Sequence, residues 1–88
     1  MGDVAPVEDV VRDLVRSRAA LARGRAELPD ELRLGTGGLG LDSISLVELL
    51  LDCERRFGLP HPVDLLEGPP LTLGSLIAHV RAAAGPMA

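Results

Sequence analysis

Ser43 stands where a glycine-rich segment ends and a strongly apolar helical segment begins. A serine at the start of a helix can cap it with its hydroxyl, or it can carry an attached phosphate. The backbone N–H groups and the dipole at that end stabilise negative charge. Asp42 and Ser45 are also suited to capping, and Ser45 with Glu48 matches the capping-box pattern. If Asp42 or Ser45 caps the helix, Ser43 is free to be modified by another enzyme.

Catalysis by Ser43 itself has little support in the sequence. A nucleophile elbow reads G-x-S-x-G, whereas this segment reads Leu-Asp-Ser-Ile-Ser. The nucleophile would also need a general base, and the histidines at hand are His61 and His79. A lone histidine on a surface turn or helix is far more often solvated than catalytic, and Cys53 adds no zinc-ligand spacing to the pair. We therefore expect a protein that is not an enzyme and has no metal site.

The glycine-rich segment contains an apparent nucleotide-binding motif. Residues 35–40 read Gly-Thr-Gly-Gly-Leu-Gly, which matches G-x-G-x-x-G. That motif binds dinucleotides only between a strand and a helix of a parallel sheet, and this sequence has no alternating strand pattern. No Gly-Lys-Ser or Gly-Lys-Thr follows, which excludes a P-loop. We interpret the match as accidental.

Apolar residues recur at spacings of three and four along most of the chain, which predicts an all-α protein. We expect a small bundle of three main helices plus one short helix, in a single domain over residues 1–88. Helix stops are expected at Gly24, at Gly58 and at Gly85–Pro86. The predicted helices cover about residues 6–23, 43–57, 63–67 and 72–84.

A long connection separates the first two helices. The helical period is lost between residues 25 and 42, where Pro29 and the glycines favour a loop. The segment nevertheless has too many leucines for a disordered linker, and we expect them to pin an ordered loop onto the core. These leucines are Leu28, Leu32, Leu34, Leu39 and Leu41.

The helix predicted over residues 43–57 has two apolar faces. One is an ordinary core stripe of Leu46, Leu49, Leu50, Cys53 and Phe57. The second apolar face lies roughly opposite and is formed by Ile44, Val47 and Leu51, with Glu48 and Glu54 at its edges. Either other helices bury this face as well, or it stays exposed as a docking surface for partner proteins.

Composition excludes several classes of partner. The net charge is −4 and the one aromatic residue is Phe57, so neither a basic stripe nor a set of stacking platforms exists for nucleic acid or anionic membranes.

The single cysteine cannot form an internal disulfide. The segment Met1–Pro6 lacks a signal-peptide pattern, and nothing is long enough to span a bilayer. We expect a monomeric cytoplasmic protein.

Three segments carry a resemblance to a known family. They are Leu39–Ile44, Leu46–Leu49 and Glu54–Gly58, and together with the size, charge and helix order they closely resemble the acyl carrier protein family. The resemblance implies that a phosphopantetheinyl transferase, using magnesium, esterifies Ser43 with 4′-phosphopantetheine from coenzyme A. The terminal thiol of that arm would hold an acyl group as a thioester. Asp42 would help the transferase to recognise the site.

The same resemblance implies a docking role for the second apolar face. Its members match the positions through which such carriers contact acyl-loading and acyl-transferring enzymes: Ile44, Val47, Glu48, Leu51 and Glu54. Arg55 and Arg56 stand where fatty-acid carriers commonly have further acids. A discrete bacterial carrier of polyketide or related antibiotic biosynthesis therefore fits best. The alternatives are a peptidyl carrier, which holds an aminoacyl group, and an unmodified helical interaction module.

Overall fold

Four α-helices and one 3-10 helix form the regular structure of residues 6–58 and 62–84, which are the residues that the computed structural model describes. No strand occurs in these ranges, and the predicted all-α class is confirmed. The predicted helix stop at Gly85–Pro86, the histidine at position 61 and residues 1–5 lie outside them. The elements are α1 Val7–Arg18, α2 Ala20–Arg23, α3 Ser43–Phe57, the 3-10 helix Pro62–Glu67, and α4 Leu73–Ala84.

The prediction of one continuous helix over residues 6–23 is wrong, because the chain is extended at Ala19 (φ −118°, ψ 111°). The break leaves carbonyl groups at the end of α1 without the N–H donors of a continuing helix. Arg23 supplies replacements: its Nε donates to the carbonyl oxygen of Arg16 at 2.9 Å and its Nη2 to that of Ser17 at 2.8 Å. An arginine from the next turn therefore caps α1.

The core is aliphatic and draws on every helix and on the long loop. Four of the five loop leucines are buried and Leu32 packs against them partly buried, which confirms that they pin the loop. The buried helix residues include Val11 and Val15 of α1, and Leu49, Leu50 and Cys53 of α3. Those of α4 are Leu73, Leu76, Ile77 and Val80.

The long loop is also fixed by backbone hydrogen bonds to the start of α4. The N–H groups of a helix's first turn have no partner inside the helix. Here Leu73 N donates to the carbonyl of Leu32 at 2.9 Å, and Gly74 N donates to that of Asp30 at 2.8 Å. Leu34 N returns a bond of 3.0 Å to the carbonyl of Leu71. These bonds tie the segment before Ser43 to the far end of the chain.

None of the helices within the described ranges is long and apolar enough to cross a bilayer.

Candidate functional site

Ser43 is the first residue of α3, and its side chain is exposed. The cap of the helix is supplied by Asp42, whose carboxylate accepts a hydrogen bond of 2.8 Å from the backbone N–H of Ser45. Of the capping candidates in the sequence, Asp42 and Ser45, it is therefore Asp42 that caps α3. The Ser43 hydroxyl makes no hydrogen bond within residues 6–58 and 62–84, and it is available to another molecule.

Asp42 gives the site its charge. The hydrogen bond from the backbone N–H of Ser45 holds the pKa of the Asp42 carboxyl below its ordinary value, because the bond is made to the charged form. The carboxylate therefore stays ionised to lower pH than a free one. It is also exposed, so that its charge and the Ser43 hydroxyl next to it are presented to solvent together.

The second apolar face of α3 is open at its N-terminal end. Ile44 is 71% exposed, the most exposed large hydrophobic side chain of the described ranges. Val47 and Leu51 are half-buried. The helices that the structure describes therefore do not enclose the whole face.

A cavity of about 330 Å³ lies on the side of α3 that carries Leu46. Leu46 follows Ser43 by one helical turn, so the two side chains lie on one side of the helix. The sequence placed Leu46 in the core; it is partly buried, packs against the core and also faces this cavity. Most of the other lining residues are apolar, including Leu65, Leu66 and Leu71, and Arg33 and Thr36 come from the long loop.

A family model described as "Phosphopantetheine attachment site" matches residues 9–80. The chain belongs to this family. The match runs from α1 into α4 and includes Ser43 and the long loop. It confirms the resemblance to acyl carrier proteins and identifies the cofactor as covalently attached 4′-phosphopantetheine. No curated protein and no solved structure matches the chain.

The surroundings of Ser43 fit this cofactor. Its hydroxyl is exposed and free of hydrogen bonds to the described residues, and a phosphate attached there would lie at the N-terminus of a helix of 15 residues. When attached, the cofactor supplies a thiol to the carrier. Carrier domains of this family are generally not catalysts.

An ion-pair cluster beside the second apolar face was missed by the sequence analysis. Arg18, from the last turn of α1, donates from Nε to Asp52 Oδ2 at 2.7 Å and from Nη1 to Glu48 Oε1 at 3.1 Å. Arg55 also contacts Asp52, at 2.7 Å. The bond from Arg18 lowers the pKa of the Asp52 carboxyl. Glu48, predicted to lie at the edge of a docking surface, is thus paired with an arginine of the same chain.

His79 differs from its predicted solvated state. It is half-buried in α4, and its Nε2 atom is shielded from solvent with no hydrogen-bond partner among the described groups. In the same ranges, no three His, Cys, Asp or Glu side chains lie close enough together to bind a metal ion.

Cys53 is expected to be inert in the folded carrier. It is fully buried, and burial raises the pKa of its thiol from 9.0 to about 11. Since the thiolate is the reactive form, its fraction at pH 8 is about 100-fold lower than for the unperturbed group. An Ellman titration of the native, unmodified protein should detect no thiol, and one thiol after unfolding in guanidinium. The native reaction should quicken as the pH rises toward 11.

Addition of the cofactor should raise the native titre from zero to one thiol per molecule. Rapid labelling of the native, unmodified protein at pH 8 would contradict the buried position of Cys53.

Proposed function

We propose that this protein is an acyl carrier of polyketide or related natural-product biosynthesis, with its 4′-phosphopantetheine attached to Ser43. The observation that carries the proposal is the arrangement of Asp42 and Ser43 at the start of α3. Asp42 caps the helix, and the exposed Ser43 hydroxyl is left without a partner in the described structure. The arm holds an acyl group as a thioester and presents it to one enzyme after another.

The chain's own residues supply position and recognition. The helix N-terminus stabilises the negative charge of the arm's phosphate. The buried loop leucines and the bonds to α4 hold the loop in place ahead of Ser43. The partners that follow from this role are a phosphopantetheinyl transferase and enzymes that load and remove acyl groups. We place the carrier in the cytoplasm as a monomer, in keeping with its acidic surface and its single buried cysteine.

Intact-mass measurement tests the proposal. The unmodified protein is incubated with coenzyme A, magnesium and a promiscuous transferase, and we expect a gain of one phosphopantetheinyl group. A folded sample that gains no mass would instead favour the unmodified interaction module. Loading of the modified protein by an amino-acid-adenylating enzyme, and by no acyltransferase, would assign it to the peptidyl carriers.

Asp42→Asn should separate the two roles of Asp42. Asparagine caps helices about as well as aspartate, so the melting temperature should hardly change. The negative charge of the carboxylate is lost, however, and a transferase that recognises this carboxylate should lose a charge-assisted contact. We expect its kcat/KM to fall by at least about tenfold. An unchanged kcat/KM would show that Asp42 serves the helix alone.

We also propose that the second apolar face, with Glu48 and Glu54, is the docking surface for these enzymes. Exposure of Ile44 supports this role. The cluster around Arg18 offsets part of the acidic charge, since Glu48 and Asp52 both contact that arginine. Partners of this carrier should therefore depend less on basic patches and more on an apolar pocket for Ile44.

Ile44→Ala should weaken docking and leave the fold intact. Because the side chain is 71% exposed, its truncation creates no buried cavity, and the melting temperature should change by less than about 4 °C. An apolar anchor at the centre of an interface is worth about 1–2 kcal/mol, so KM for the carrier should rise by about tenfold in acyl loading by a partner enzyme. Leu21→Ala is the matched control, because Leu21 is 62% exposed on a different helix. Equal effects of the two substitutions would argue against a docking role for Ile44.

A further inference from the structure

Arg33 is the one ionisable residue among the described residues that line the cavity beside Ser43. Its side chain makes no ion pair with any side chain that the structure describes, whereas Arg12, Arg18 and Arg81 each pair with a carboxylate. No acid is found among the described residues of the lining. A site of this kind combines apolar walls with one positive charge that has no described counter-ion.

The loop is built to hold Arg33 in this place. The carbonyl of Arg33 accepts a hydrogen bond of 2.9 Å from Leu39 N, and its backbone pairs with that of Thr72. Gly37 lies under the side chain: a Cβ added there would be 3.5 Å from Nη1 and 3.6 Å from Cδ of Arg33. Gly37 has a φ of +91°, a backbone conformation that favours glycine, so the segment that matched a nucleotide motif forms the turn beside this side chain.

The cavity is within reach of a group attached at Ser43. Leu46, in its lining, comes three residues after Ser43, which is a rise of about 4.5 Å along the axis of α3. A phosphopantetheine arm is longer than one turn, so an acyl group at its end can fold back to this opening. Carbon atoms of that group would contact Leu46, Leu65 and Leu66, and an anionic end would meet Arg33.

We infer that the cavity selects acyl groups that bear a free carboxylate, which pairs with the Arg33 guanidinium. The inference rests on the proposed function and names the class of cargo. A guanidinium presents two parallel N–H donors that match the two oxygens of a carboxylate, so it favours a carboxylated acyl group over a neutral one of the same shape. The apolar walls accommodate the short carbon chain between thioester and carboxylate.

A pair of isosteric cargoes tests the inference. A promiscuous transferase loads the unmodified protein from malonyl-coenzyme A or from 3-methylbutanoyl-coenzyme A, whose two methyl groups stand where malonate has its two carboxylate oxygens. Loading is verified by intact mass, and the melting temperature of each form is measured at low salt. Arg33→Gln should lower the melting temperature of the malonyl form by about 2–4 °C more than that of the 3-methylbutanoyl form.

Three controls define the result. The malonyl and 3-methylbutanoyl forms should differ in melting temperature by the same amount in Arg25→Gln as in the parent protein, since Arg25 is an exposed loop arginine that does not line the cavity. This difference in melting temperature should be smaller but still measurable in Arg33→Lys. It should also decrease at about 1 M NaCl, where the screening length falls to about 3 Å.

Each contrary result has a separate meaning. Absence of mass gain with either coenzyme A ester would contradict the proposed function itself. Full loading with equal effects of Arg33→Gln on both forms would overturn the inference, because Arg33 would then serve the arm's phosphate or the fold and not the carboxylate of the cargo.

Discussion

Ser43→Ala is expected to abolish phosphopantetheinylation completely. In the proposed carrier the cofactor is bonded through the hydroxyl oxygen of this side chain, so alanine would leave no atom for attachment. The fold should not change, because the cap of α3 comes from Asp42, and Ser43 is exposed without a hydrogen bond in the described structure. Intact mass after incubation with the transferase should show no gain, and the melting temperature should lie within about 4 °C of the parent protein.

Ser45→Ala is the matched control for this result. Ser45 lies two residues further along α3 and offers the closest alternative hydroxyl in the sequence, but it is half-buried. Its backbone N–H, which the cap uses, is kept in the variant. We expect Ser45→Ala to gain the full mass of the cofactor. A gain in Ser43→Ala that disappears in Ser45→Ala would move the attachment point to residue 45.

The sequence predicts α3 well because its signals are local. Asp42 at the N-terminal end and Gly58 at the C-terminal end are strong capping residues, and the observed helix has the predicted bounds, Ser43–Phe57. The burial of the loop leucines was predictable for a related reason. Several leucines in a segment without helical period are stabilised by packing against the core, whatever the local structure of that segment. The proposal of Ser43 as the attachment residue rests on the same local pattern, taken together with the family.

The remaining features depend on contacts between distant parts of the chain. The break at Ala19 has no glycine or proline to mark it, and its carbonyls are satisfied by the Arg23 side chain. Arg18 meets Asp52 across 34 residues, which requires that α1 pack against α3. The unusual environment of His79 likewise arises from packing. No periodicity in the sequence encodes these pairings, so the neutralisation of Glu48 and Asp52 by Arg18 could not be foreseen.

Gly38→Ala should produce the largest loss of stability among the loop substitutions considered. A Cβ at this position would lie 1.9 Å from the carbonyl oxygen and 2.6 Å from the carbonyl carbon of Arg33. Backbone atoms cannot yield as the end of a flexible side chain can, so the turn would have to open. Its hydrogen bonds from Gly38 N to Gly35 O and from Leu39 N to Arg33 O would then be strained or lost. We expect a destabilisation of about 2–4 kcal/mol, or a melting temperature lower by at least about 10 °C.

Gly35→Ala supplies the control, because Gly35 belongs to the same turn and differs in its surroundings. A Cβ there would be 3.5 Å from the Leu41 carbonyl oxygen and 3.6 Å from Leu46 Cδ1, which are ordinary contacts. The free energy of unfolding of Gly35→Ala should remain within about 1 kcal/mol of that of the parent protein, since alanine also restricts the unfolded chain. Urea denaturation of both variants measures the contrast. If Gly38→Ala were as stable as Gly35→Ala, the close approach to Arg33 would not be what requires glycine here, and the turn that places Arg33 at the cavity would be looser than its hydrogen bonds indicate.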